Sequence, residues 1–202
     1  MHYHPTGAGV EVDSGTRVDF AISDREPLYD GQMFLIGNFS AAGAVGELLP
    51  GENDPATGVA FAIPAGVTSH LERMRFVVPP LTPEGIIWAV GTHMHYVGTD
   101  MLMTVTRQDP GDQPAEECLL QTPDWDFNWQ RGYLYDAPLD ELPTAKTGDT
   151  LNFRCTYDNS LANPFVRDAL DEQGLTAPRD VVLGEETLDE MCLGVFGVAY
   201  PR

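Results

Sequence analysis

The sequence is poor in cations. Eleven Lys and Arg stand against 31 Asp and Glu, a formal net charge of -20 over 202 residues. A surface of that sign repels the phosphates of nucleic acid and the headgroups of anionic membranes, so neither is expected as a partner. It suits solubility, cationic partners or a salty medium, and it names no function. Many of the acids fall in turn-like runs such as "QDPGDQPAEE" and "LDEQG", which read as solvated loops. Cysteine is scarce as well. Cys118, Cys155 and Cys192 have no zinc-knuckle spacing. Three thiols allow at most one internal disulfide and leave one free, and their spacing does not say which two pair. No apolar run approaches the ~20 residues that span a bilayer. The opening "MHYHPTGAGVEV" lacks the basic start and apolar stretch of a signal peptide. The chain therefore reads as cytosolic, or as a mature or truncated piece of something longer. Internal repeats, low-complexity tracts and linkers are also missing.

What is present is punctuation. Twenty glycines and 16 prolines are spread along the whole length. They separate short apolar runs: "TRVDFAIS", "QMFLIGNF", "GVAFAIP", "RMRFVVPP", "GIIWAVGTHMHYVG", "DMLMTVTR", "GYLYDAP", "DTLNFRCTY", "RDVVLG" and "CLGVFGVAYP". Several alternate with period two, as Leu151, Phe153 and Cys155 do. Many short strands with turn signals between them predict an all-β fold, an antiparallel β-sandwich or jelly roll, over residues 1–202. One stretch, Asn163 to Gly174, is compatible with a turn or two of helix. The first residues, "MHYH", read as strand without a preceding cap, and "VAYPR" stops directly after a strand. Both ends look cut, as in an excised lobe.

Histidine is rare, five in all, yet two stand in "GTHMHYVG" with one residue between them. The flanking residues are apolar and β-favouring, so the segment reads as strand. Side chains alternate along a strand, which puts His93 and His95 on one face and Met94 on the other. Two imidazoles so placed can serve one metal ion; they can equally be half-buried residues closing a strand end. A second group is "GEETLDEMCLGVFGVAY", where Met191 begins an apolar strand beside Cys192. Methionine there is ordinarily core. With two imidazoles, however, a thioether makes a soft ligand set that suits copper and favours Cu(I). Asp189 and Glu190, just before it, read either as supports for the ligands or as solvated carboxylates.

Together, "THMHYVG", "GDTLNFRCTYDNS" and "GEETLDEMCLG" resemble the C-terminal catalytic domain of the copper type II, ascorbate-dependent monooxygenases. That family includes the peptidylglycine α-hydroxylating and dopamine β-monooxygenases. The resemblance runs from "MHYHPTG" to "VFGVAYP" and so covers essentially the whole chain. It rests on the order and wide separation of short motifs. It implies a substrate-side copper held by His93, His95 and Met191, and a disulfide between Cys155 and Cys192 with Cys118 free. It implies hydroxylation of a C–H bond of a small-molecule substrate with dioxygen, the electrons coming from ascorbate or another reductant. The family's first domain carries a donor copper on three histidines. His2, in "MHYHP", resembles the last of them, and His4 is an extra imidazole beside it. The other two would lie in an N-terminal domain that this sequence does not include. A disulfide further implies the periplasm or the exterior of the cell.

The chain departs from the family in places. The positions matching the peptide-carboxylate anchors of the amidating members are Gly91, Leu193 and Val195, none of which can pair with a carboxylate. A peptide C-terminus is therefore not the expected substrate. The first cysteine of the animal members' second disulfide would fall near His70. In "TPDWDFNWQRGYLY", the residues Trp125, Phe127 and Trp129 are expected on one strand face, as a packed aromatic edge or a substrate platform. Two other readings follow from these features. One is a non-catalytic copper-binding module. The other is a carbohydrate- or protein-binding jelly roll in which the aromatic strand is the site and the histidines are incidental.

Overall fold

A computed structural model describes residues 9–10, 12–38, 45–80, 84–186 and 188–202. Twelve strands follow in chain order: β1 Tyr29–Asn38, β2 Glu47–Leu48, β3 Ala62–Ile63, β4 His70–Val77, β5 Gly85–His93 and β6 Gly98–Thr106. Then come β7 Glu116–Thr122, β8 Gly132–Leu134, β9 Thr144–Ala145, β10 Thr150–Tyr157, β11 Val181–Val182 and β12 Cys192–Pro201. The helix α1 spans Pro164–Glu172, within the stretch expected to be helical. Asn163 caps it, accepting from the Phe165 N–H, and Pro164 opens it, where a missing N–H costs nothing.

The strands form two antiparallel sheets. One runs β1-β12-β5-β8, with β9 also on β5; the other runs β2-β4-β10-β6-β7. A short third pair joins β11 to β3. The fold is the expected all-β antiparallel sandwich. Period-two patterning decides which faces meet. On β10, Leu151, Phe153, Cys155 and Tyr157 are buried while the residues between them are not. Phe153 meets Phe196 of β12 edge-to-face across the layers, centroids 6.0 Å apart. The same two strands carry the Cys155–Cys192 disulfide, which therefore ties one sheet to the other. Cys118 is free and exposed on β7. An apolar cleft of ≈ 220 Å³ lies between Phe34, Ile36, Ile87, Leu151 and Phe196.

Three expectations need correction. "TRVDFAIS" forms no strand: Val18, Phe20 and Ile22 stand exposed and pair with no neighbour in a sheet. Alternation alone fixes a strand's faces, not a partner for its backbone. Conversely, Glu116 and Glu117 were expected in a solvated loop and open β7. The Glu117 carboxylate accepts from the buried Arg107 guanidinium at 2.7 Å, which compensates a charge that would otherwise be costly to bury. Trp125, Phe127 and Trp129 lie on no strand either. Asp126 accepts from the Asn128 N–H and caps a 3₁₀ turn over Phe127–Trp129. Trp125 is buried while Trp129 is 61% exposed, under the guanidinium of Arg131 at 4.2 Å.

Candidate metal centre

The expected histidine pair sits where β5 ends. His93 is the last residue of that strand, and His95 follows it in the turn into β6. The expectation of two histidines on one regular strand is thus half met: the strand stops between them. Their side chains still come together, with ring centroids 5.3 Å apart and nearly perpendicular. Met94, between them, is fully buried, as alternation requires.

Met191 precedes β12, whose ladder with β5 pairs Leu193 with His93 and Gly194 with Thr92. Continued by two residues, that register sets Met191 opposite His95. Met191 is buried, and Cys192 beside it is locked to β10 by the disulfide. The three residues expected to form the ligand set therefore lie on one corner of the sandwich. His2 and His4 lie outside the described residues.

Both rings are oriented by hydrogen bonds at Nδ1. His93 Nδ1 donates to Gln130 Oε1 at 2.6 Å, and His95 Nδ1 to the Asp189 carbonyl at 3.0 Å. With the proton on Nδ1, each neutral ring carries its lone pair on Nε2, the arrangement that ligating histidines use. Burial lowers the pKa of His93, against the pull of Gln130. It lowers that of His95 too, against the Asp189 and Glu186 carbonyls, with His93 adding to the lowering. The neutral, ligating form is the favoured one at both positions.

The backbone around the pair is held by side chains that the sequence does not advertise. The Trp125 indole Nε1 donates to the His95 carbonyl at 3.0 Å. Gly98 lets that ring approach: a Cβ there would lie 3.0 Å from Trp125 Cδ1 and 2.8 Å from Met94 Cβ. Phe127 stacks on Tyr96 at 4.3 Å and meets the His95 ring edge-on at 6.1 Å. Glu190 is fully buried, which removes the solvated alternative. Its carboxylate accepts the main-chain N–H groups of His95, Val97 at 3.2 Å and Met191 at 2.8 Å. Tyr157, also fully buried, donates its hydroxyl to the Met191 carbonyl at 2.8 Å. In sequence, Trp125 reads as one of three aromatics and Tyr157 as the end of a strand; no local signal ties either to the histidines.

A depression of ≈ 400 Å³ opens beside His93. Leu35, Gly91, Leu193, Val195, Gln130 and Arg131 border it. The three positions that lack a carboxylate anchor therefore line one recess next to the histidines. His70, where the family's extra cysteine would fall, is instead buried and bonded through Nε2 to Glu72 Oε1 at 2.7 Å.

Among the described residues, no group of three or more His, Cys, Asp or Glu is arranged to hold a metal ion. Met191, which the sequence singled out as a third ligand, is buried one residue before β12. Two imidazoles and one thioether fit a soft ion and do not fit magnesium or calcium. No protein-family model matches the chain, and no curated protein matches it. Among the described residues no helix is long and apolar enough to cross a membrane.

Proposed function

We propose that the chain is the substrate-side copper lobe of a copper-dependent monooxygenase, with copper on His93, His95 and Met191. The observation that carries the reading is the pairing of two neutral imidazoles, each with Nδ1 engaged, next to a buried methionine on the same corner. The resemblance of the three motifs adds to it. Copper would supply the one-electron chemistry with dioxygen. Overall, a C–H bond, O₂, two electrons and two protons give an alcohol and water. The electrons would come from ascorbate or another reductant, by way of a donor copper to which His2 would contribute a ligand.

The chain's own residues have narrower tasks. Gln130 and the Asp189 carbonyl hold the imidazole protons at Nδ1, so each Nε2 would be the nitrogen left to ligate copper. Trp125, Tyr157 and Glu190 fix the peptide groups of the ligand residues. The recess at Gly91, Leu193 and Val195 receives a substrate with an apolar flank and offers no anchor for a peptide carboxylate at those positions. The Cys155–Cys192 disulfide is compatible with a location outside the cytoplasm. We place the chain in the periplasm or outside the cell. The copper reading is preferred to the aromatic-platform alternative because Trp125 is buried and Phe127 to Trp129 form a 3₁₀ turn.

The test is a Cu(I) titration of the reduced protein with X-ray absorption. The expected spectrum has two imidazole scatterers and one sulfur, and Met191→Leu removes the sulfur while leaving the fold and Cu(II) binding largely intact. His93→Ala or His95→Ala abolishes tight binding in both oxidation states. A wild-type Cu(I) spectrum without sulfur would sink the proposal. A non-catalytic copper module shares this site; turnover with the parent donor domain separates the two.

A further inference from the structure

The candidate ligands arrive from two directions, the β5–β6 turn and the strand entry at β12. Something must set the gap between them. The disulfide fixes Cys192 to β10, and nothing in it touches the histidine turn. The Glu190 side chain does. One of its oxygens, Oε1, accepts from the N–H of both His95 and Met191; the other, Oε2, accepts from Val97 at 3.2 Å, and the Gly98 N–H also bonds the carboxylate. Glu190 is itself immobilised. Its N–H donates to the Val182 carbonyl at 3.0 Å, and its carbonyl accepts from the Gly184 N–H at 3.3 Å.

We infer that Glu190 is a positioning residue: its buried carboxylate sets the separation of His95 and Met191 by binding the main-chain N–H groups of both. The functional consequence rests on the copper reading above; the clamp itself does not. The geometry favours this over a purely structural role for three reasons. First, a carboxyl in a core is costly: burial pushes Glu190 up to about 8 against the opposing pull of its four N–H donors, so the fold retains this side chain at a cost. Second, the donors are not drawn from one continuous segment, as in an ordinary helix cap or turn. His95 and Val97 lie 95 and 93 residues from Glu190 in the chain, whereas Met191 is its neighbour. Third, the remaining peptide group of each ligand residue is also side-chain bonded: the His95 carbonyl by Trp125, the Met191 carbonyl by Tyr157. Glu190 is the member common to both.

The experiment uses Glu190→Gln in the full chain. The amide is isosteric, so Oε1 still accepts from His95 and Met191, while the NH₂ group opposes the Val97 and Gly98 donors. The expected variant keeps its β circular dichroism and its disulfide. Its Val97 and Gly98 amide resonances move, and its Cu(I) affinity falls about 10- to 100-fold, the range usual for residues that orient ligands. The sulfur scatterer weakens, and Cu(II) binding changes less, because the thioether matters most for the reduced ion. A general loss of structure would weaken both oxidation states alike and would overturn the proposal, as would a folded variant with wild-type Cu(I) affinity and sulfur signal. A second measurement needs no variant. In the metal-free wild type, the His95 and Met191 amides exchange with solvent as slowly as those of the central strands. Fast exchange at either overturns the clamp. Slow exchange with no sulfur in the wild-type Cu(I) spectrum upholds the clamp and removes the copper reading alone.

Discussion

The hydroxyl of Tyr157 donates to the main-chain carbonyl of Met191 across 2.8 Å, and both groups are buried. The bond runs from the last residue of β10 to the residue before β12, two residues along from the disulfide that joins the same strands. Burial drives the Tyr157 hydroxyl well above its ordinary pKa, helped by Glu190 and Glu72, so it stays protonated as the donor. Tyr157→Phe leaves the carbonyl without a partner and fills nearly the same space. The expected cost is about 1–3 kcal/mol, the penalty for an unsatisfied buried acceptor. Denaturant unfolding reads it as a lower midpoint at unchanged slope. A variant as stable as the wild type would mean that water takes over the acceptor.

The disulfide closes a sequence separation of 37 residues. The chain-entropy account assigns a loop of that size about 4 kcal/mol. Cys155→Ala with Cys192→Ala is expected to lose roughly that much, measured by the unfolding free energy. One thiol per unreduced chain, Cys118, should react with maleimide under native conditions, since it alone is free and exposed. Labelling of two or three thiols in protein made in an oxidising compartment contradicts the pairing.

Much of this was legible in sequence. Period two on "DTLNFRCTY" and "CLGVFGVAYP" gave the sandwich because a strand with one buried face has one register. The histidine pair and Met191 were legible from residue type, and the Cys155–Cys192 disulfide from the resemblance. Glu190 was legible only as one of two alternatives, a support or a solvated acid; Trp125 and Tyr157 were not legible, because each acts on a peptide group far away in the chain. Trp125 reaches His95 over 30 residues and Tyr157 reaches Met191 over 34. Hydrophobic periodicity reports which way a side chain points, not which carbonyl meets it there. The 3₁₀ turn at Phe127 was missed because the Asp126 cap competed with an apolar alternation that looked like strand.

Both histidines should titrate low. Burial depresses His93 and His95 below 6.5. A base whose folded pKa is depressed stabilises the fold above the unfolded value, near 6.5. That contribution is lost as pH falls through the folded values, because the unfolded chain binds the protons more readily. Imidazole proton shifts followed in the metal-free protein are expected to show both midpoints below 6.5, and unfolding free energy should fall as acid is added across that window. Midpoints at or above 6.5 would mean that the rings are solvated and their environment is not the one described.

The most demanding test of the core lies one contact further from the histidines. His70 and Glu72 are each about 2% exposed, and His70 Nε2 meets Glu72 Oε1 at 2.7 Å. Asn53 Nδ2 bonds His70 Nδ1 at 2.9 Å, and the Ala62 N–H reaches Glu72 Oε1 at 3.4 Å, which leaves Glu72 Oε2 without a partner among the described residues. The Tyr157 ring packs against this pair, 6.3 Å from the His70 ring and 5.9 Å from Phe61. Removing one member of a buried polar pair strands the other, so His70→Ala is expected to cost about 3–5 kcal/mol. Replacing both by apolar residues of similar volume, His70→Leu with Glu72→Leu, removes the desolvated groups together and should cost much less, or stabilise the fold. A double-mutant cycle on unfolding free energies measures the difference. Strict additivity of the two single losses would show that the pair does not interact, and that Tyr157 is held by packing on Phe61 alone.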